Sequence, residues 1–347
     1  MNFKVKKMLQ AAMAVSLAFA LTACGSAEGG AAGADSENGE IGECHFVMAE
    51  LNPLDTIVGQ TDKAFADKVE ELSGGAMTVE LHCEGEMGTE IDIIKDMVDG
   101  ESDVDICRIS SFMLSGFGCR KPTLLALPFT FESEEHFWKF AESDLAQEFL
   151  EEPLEYNLGL KGLFFGEEGF RHFFSDTPLK QIDDFKGLRV RVSTDTIMTQ
   201  MVESMGATPL QVNLEEIPNS FVNDEIDAAE QPVVNYEANK FYEAAPYILM
   251  DGHTLGVVEV VISEDVWDSL TEAQQEIITE AAAYAKDYNK GLTASKEEAS
   301  IKVLEENGVE ISYVDDIEPY RQAISKIVTD QTKGMEDLYQ QILDFGN

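Results

Sequence analysis

The chain has 347 residues, 44% hydrophobic, with 20 Phe, and carries 24 Lys and Arg against 66 Asp and Glu for a net charge of −42. So negative a molecule has nothing with which to neutralise phosphates, which excludes nucleic acid as a partner. Its apolar fraction excludes a disordered chain.

Lys4, Lys6 and Lys7 precede an apolar run over 8–20 that is too short for a membrane span, so 1–23 reads as a secretory leader. Leu21-Thr22-Ala23-Cys24 reads as a lipobox. Cleavage before Cys24 and diacylation there predict an extracytoplasmic lipoprotein anchored to the cell membrane, because two acyl chains hold where one is marginal. Residues 24–42 are Gly, Ala, Ser and acid, a flexible tether. The leader removes three lysines and no acid, so the mature chain is more acidic still.

Alternation and helical spacing then predict strand 44–49, helix 61–72, strand 77–83, helix 90–99 and strand 103–110. That order is the signature of a parallel sheet in an α/β domain. An apolar, Pro-bounded segment (121–129) leads into one helix over 134–150 and a strand that begins at 163–165 and leads towards Phe170 and Arg171. A second α/β set follows: strand 188–192, helix 196–205, strand 208–210, helix 217–223 and strand 228–230. The β-branched run GVVEVVIS (256–263) reads as a strand returning to the first lobe. Thr271 and Gln274 form a capping box opening a helix to about 307, roughly 50 Å at 1.5 Å per residue, long enough to bridge two lobes.

Cys44, Cys83, Cys107 and Cys119 remain after the leader. None has zinc-site spacing, and they read as structural thiols with one disulfide possible. The histidines are scattered, and no nucleophile elbow, Walker loop or HExxH occurs. The acidic loop 99–105 lacks the ligand pattern of an EF-hand and reads as a solvated turn. No metal or cofactor is called for. Arg189 and Arg191 lie two apart in a strand and share a face, with Val190 and Val192 on the other. Each is either paired with one of the many acids or kept for an anionic ligand, which a guanidinium meets with two parallel hydrogen bonds.

Several segments, in order, carry a family resemblance: VEELSGGAMTVEL, GEMGTEIDIIKDMVDGESDVD, LALPFTF, GFRHFFSDTPL, DDFKGLRVRV, MGATPLQ, DAAEQPVVNYEANKFYEAAPYIL with DGHT, and VISEDVWDSL. Together they resemble the solute-binding subunit of TRAP transporters, the tripartite ATP-independent periplasmic family (DctP-like). The resemblance implies an α/β, two-lobed periplasmic-binding-protein-like fold with a hinge and a long domain-spanning helix. Lobe I would comprise 43–168 plus 257–297, and lobe II 169–256 plus 298–347. By position, Arg191 would pair with a ligand carboxylate and Arg171 would be a second anion contact. Gln231 stands where the family usually has Asn, and Glu90, Ser110, Ser111 and Phe129 are candidates for the first-lobe wall. The implied protein is a monomeric, non-enzymatic receptor that captures a small organic acid and delivers it to TRAP membrane subunits. Alternatives are the receptor of an ABC importer, a sensory lipoprotein, and an extracellular enzyme acting on an anionic substrate.

Overall fold

The computed structural model describes residues 41–192 and 196–346; the leader, Cys24 and most of the tether lie outside them. The described chain begins with Ile41 packed on an apolar core and the Gly42 carbonyl accepting a hydrogen bond from Gln274 at 3.1 Å.

Among the described residues nine strands form one mixed sheet: β1 (Cys44–Ala49), β2 (Met77–His82), β3 (Ile106–Ser110), β4 (Leu160–Ser175), β5 (Arg189–Val192), β6 (Thr208–Gln211), β7 (Ala228–Pro232), β8 (Tyr247–Ser263) and β9 (Glu310–Tyr313). They lie in the order β2-β1-β3-β8-β4-β7-β5-β6, with β9 paired to β8. β1 pairs in parallel with β2 and β3, and β5 in parallel with β6 and β7, as crossover helices require. Each parallel group is one half of the sheet.

β4 extends past both ends of its expected run and β8 begins well before its own, and the two join the halves as an antiparallel pair. The C-terminal part of β8 pairs with β3, while its N-terminal part pairs with β9. Their register shifts three times, and one shift lies between Glu167 and Phe170, midway along the pair. Such bulges bend a strand and re-aim its side chains.

The helix Ile57–Leu72 and the long helix Glu272–Glu306 cover one face of the first half, where Phe46, Phe65, Val69, Ile278 and Ala285 share a core. Further along the same long helix, Leu304 packs with Phe174 and Phe221 of the second half. Its capping box is present, with the Thr271 N–H donating to Gln274 Oε1 at 2.9 Å. Midway, buried Asn289 pins the bent strand. Its Oδ1 accepts the Glu167 N–H at 2.9 Å, and its Nδ2 donates to the Glu167 carbonyl at 3.1 Å and to Thr61 Oγ1 at 3.0 Å. These bonds pair the backbone of a residue at the register shift, where the sheet ladder is interrupted.

The single helix expected over 134–150 is two, Glu134–Ala141 and Asp144–Leu150. The Ser143 hydroxyl accepts the Ala146 N–H at 3.3 Å and caps a new start. Cys44, Cys83, Cys107 and Cys119 are free thiols. Cys107 and Cys119 are buried in one core, and burial pushes the Cys119 thiol up to about 12. Both behave as small hydrophobes. No helix among the described residues is long and apolar enough to cross a membrane.

Candidate anion-binding site

Where β4 and β8 change register, a small cavity of about 90 Å³ is walled by Ser110, Ser111, Glu168, Arg171, Glu230 and Thr254. A wider cavity of about 390 Å³ adjoins it, lined by Asn52, Thr56, Asn235, Lys296 and Ser300. Glu168 belongs to both walls.

Two arginines converge on one buried carboxylate here. Arg171 on β4 stands beside β7, in register with Pro232, and its Nε donates to Glu230 Oε2 at 2.5 Å. Arg191 on β5 is buried, donates through Nε to the Val212 carbonyl at 2.8 Å, and holds Nη1 at 3.8 Å from Glu230 Oε1. Val190 and Val192 turn to the opposite face and into the main core. Arg189 has a different fate. It is bound by Asp227 at 2.5 Å and Asp224 at 2.7 Å near the surface, so the structural ion pair holds for that arginine.

Behind Glu230 lies a chain of buried groups. His253 Nε2 is 3.8 Å from Glu230 Oε2, and its Nδ1 is 2.8 Å from Asp251 Oδ2. The ring stacks on Phe173 with centroids 4.4 Å apart. Asp251 also accepts the Phe173 N–H at 3.1 Å, and His172 Nδ1 accepts the Gly252 N–H at 2.9 Å. Burial alone would raise Glu230, but Arg171 and His253 outweigh it and hold the carboxyl down at about 2. Burial would likewise lower His253, but Asp251 and Glu230 push it up to about 9. Glu230 is thus an anion and His253 an imidazolium at neutral pH.

These two shifts set a pH window. Glu230, depressed from its ordinary 4.5, adds stability that is lost as pH falls towards about 2. His253, raised from 6.5, adds stability that is complete below 6.5 and lost as pH rises through about 9. Melting temperatures measured from pH 5 to 10 are expected to decline above about 6.5, and His253→Gln is expected to flatten that alkaline decline. An unchanged decline in the variant contradicts the assignment.

The opposite wall comes from the first half of the sheet. Arg108 on β3 is gripped by Glu50, Nε to Oε2 at 2.7 Å and Nη2 to Oε1 at 2.6 Å. Its Nη1 faces Glu168 at 3.7 Å and Glu90 at 4.0 Å. Glu90 also accepts the Ser110 N–H. Buried Asp62 stands beside Glu50, and burial together with that neighbour raises its carboxyl well above the usual range.

Of the residues named from the sequence, Ser110, Ser111 and Arg171 wall the small cavity, with Glu90 bonded behind Ser110 and Arg191 reaching it through Glu230. Gln231 is buried in β7, with Asn235 Nδ2 3.5 Å from its Oε1, and Asn235 lines the wider cavity. Phe129 is the exception. It packs edge-on against Tyr320 in the main core, at 6.1 Å, and its N–H donates to the His253 carbonyl at 2.8 Å. It supports the histidine's backbone and does not line the cavity of Arg171. Sequence reasoning missed Glu50, Arg108, Glu168, Glu230, Asp251 and His253. Arg108 had a readable signal, as the lone cation in the apolar strand ICRIS.

Residues 48–334 match the family described as bacterial extracellular solute-binding protein, family 7 (DctP). Among curated proteins, the chain is 25% identical over 265 residues to the sialic acid-binding periplasmic protein SiaP of Vibrio cholerae, covering 76% of this chain and 81% of that one. It is 26% identical over 274 residues to the 2,3-diketo-L-gulonate-binding periplasmic protein YiaO of Escherichia coli, covering 79% and 81%. Among solved structures, a TRAP periplasmic solute-binding protein of Ochrobactrum anthropi superposes with a TM-score of 0.82 at 23% identity, over 88% of this chain and 96% of that one. A TRAP periplasmic solute-binding protein of a Bradyrhizobium species, in complex with D-galacturonate, gives 0.77 at 27% identity, over 86% and 99%. The two joined sheet halves and the helix reaching both are the two-lobed α/β fold of these proteins. The chain belongs to the DctP family of TRAP solute-binding proteins.

Proposed function

We propose that this chain is the extracytoplasmic receptor of a TRAP-type transporter, and that it captures a sugar acid between its lobes and hands it to the membrane subunits. The observation that carries this reading is Arg171 on the wall of a small cavity with buried Arg191 next to it, both arranged around Glu230. A ligand carboxylate entering that cavity meets guanidinium groups in a site shielded from water, where a charge-assisted pair is worth about 1.5–3 kcal/mol net. The wider cavity supplies Asn52, Thr56, Asn235 and Ser300, acceptors and donors suited to sugar hydroxyls. The D-galacturonate on the Bradyrhizobium protein agrees with that chemistry.

The lobe division at 168/169 and 256/257 coincides with the register shift between Glu167 and Phe170, which supports a hinge there. A ligand bonded to both lobes favours the closed form by its differential contacts. The lipobox at Cys24 makes the receptor a lipoprotein. Cys24→Ala is expected to move it from the membrane to the soluble fraction, and retention in the membrane contradicts the anchor. The receptor has no catalytic role, so a bound acid is recovered unchanged.

A thermal-shift screen of organic acids tests the reading. D-Galacturonate, D-glucuronate or D-galactonate is expected to raise the melting temperature by mass action, more than C4-dicarboxylates do. No shift with any carboxylate contradicts the proposal.

A further inference from the structure

We propose that Glu168 reads the ligand where the two cavities meet, accepting hydrogen bonds from hydroxyl groups and excluding a second carboxylate. The receptor would then select polyhydroxy monocarboxylates over the matching dicarboxylic acids. This inference rests on the functional reading above.

The backbone around Glu168 is built to present it. β4 and β8 run in register to Glu167 and Val257, and pairing resumes at Phe170 and Leu255. Glu168 and Gly169 therefore oppose the single residue Gly256, a bulge of two against one. Gly169 has φ +92°, open to glycine at little cost, and its N–H is held by Glu167 Oε2 at 2.8 Å. A Cβ on Gly256 would lie 3.3 Å from the Glu168 Cβ and 3.4 Å from the Gly169 carbonyl, so glycine there leaves the bulge its room. The result is a carboxylate that walls the small cavity together with Arg171 and walls the wider one as well.

The surroundings decide what this carboxylate accepts. Its cationic neighbour behind the first-half wall, Arg108 at 3.7 Å, already donates two hydrogen bonds to Glu50 and also faces Glu90. Glu168 thus shares that one guanidinium with two carboxylates that line neither cavity. Lys296, on the wider cavity, donates to the Asp55 carbonyl at 2.8 Å. Burial pushes Glu168 up from its ordinary value, against the pull of Arg108 and Arg171, as expected of acids crowded out of water. Hydroxyls donate into such a wall readily. A second ligand carboxylate adds like charge in a confined space, which is how sites reject close analogues.

The test compares acids of one carbon skeleton by calorimetry on the purified protein: D-glucuronate against D-glucarate, and D-galactonate against D-galactarate. The native protein is expected to prefer the monocarboxylates by about 100-fold. Glu168→Gln keeps the shape and removes the charge, and it should narrow that preference by about tenfold, mainly through tighter dicarboxylate binding. If the native protein binds both members of each pair equally, or if Glu168→Gln leaves the ratio unchanged, the inference is overturned while the arginine site stands. If none of the four acids binds, the functional reading falls and this inference with it. The native preference is measured without any variant, so poor folding of Glu168→Gln leaves the inference open to refutation.

Discussion

Arg191→Ala is expected to weaken sugar-acid binding by at least about 100-fold, because it removes a non-titratable, two-donor partner from the proposed anion site. The side chain is buried, fixed through Nε by the Val212 carbonyl, with Nη1 close to Glu230. That anchoring holds the guanidinium in place before ligand arrives, so little ordering cost falls on binding. Arg191→Lys separates charge from geometry: it keeps the cation and loses the planar fork. Its affinity should lie between native and alanine values. Calorimetry supplies the dissociation constants, and melting temperature confirms that each variant is folded. Native-like affinity in a folded Arg191→Ala protein sinks the assignment.

Glu230→Gln should cost about 3–5 kcal/mol of stability, the usual consequence of removing one partner from a buried ionic cluster. Arg171 and His253 each lie within 4 Å of this carboxylate, as does Arg191, and Glu230 itself is fully buried. The isosteric amide fills the space but leaves cationic charge without its anion. The urea midpoint should drop with little change in slope. Two further consequences distinguish loss of charge from loss of packing. His253 should titrate lower, since Glu230 is one cause of its elevation, so the alkaline loss of stability becomes smaller and is complete at lower pH. A carboxylate ligand should also stabilise the variant more than the native protein, because it returns negative charge to the cluster. A variant as stable as the native protein, with the same alkaline limb, contradicts the role given to Glu230.

Much of the architecture was legible because hydrophobic periodicity is a local property. The helices at Glu90–Val98 and Thr196–Ser204 and the long helix Glu272–Glu306 lie within a residue or two of their expected places. β4 and β8 were not legible at full length. The bulge residues GEEG interrupt alternation in β4, where the expected strand stopped near Arg171, and DGHT does the same in β8, of which only the C-terminal half was expected. The terminal helices Glu318–Gln331 and Glu336–Asp344 carried no distinguishing signal and went unassigned.

The site divides along the same line. Arg171 and Arg191 stood out because cations are scarce in this chain. Their partner did not, since Glu230 is one acid among 66 and nothing local marks it as fully buried. Glu168 was equally hidden, because its orientation depends on a two-against-one pairing with β8, nearly ninety residues away in the chain. Phe129 lies away from that cavity for a related reason. An apolar segment bounded by proline fits a cavity wall or a core equally well, and here its ring packs on Tyr320 while the residue borders two other cavities.

The most direct test of the carboxylate grip compares D-galacturonate with D-galactose, the same ring without the acid group, by titration calorimetry on the native protein. The arginine site predicts binding of the acid and a loss of at least about 100-fold for the neutral sugar. Equal affinity for the two would contradict it.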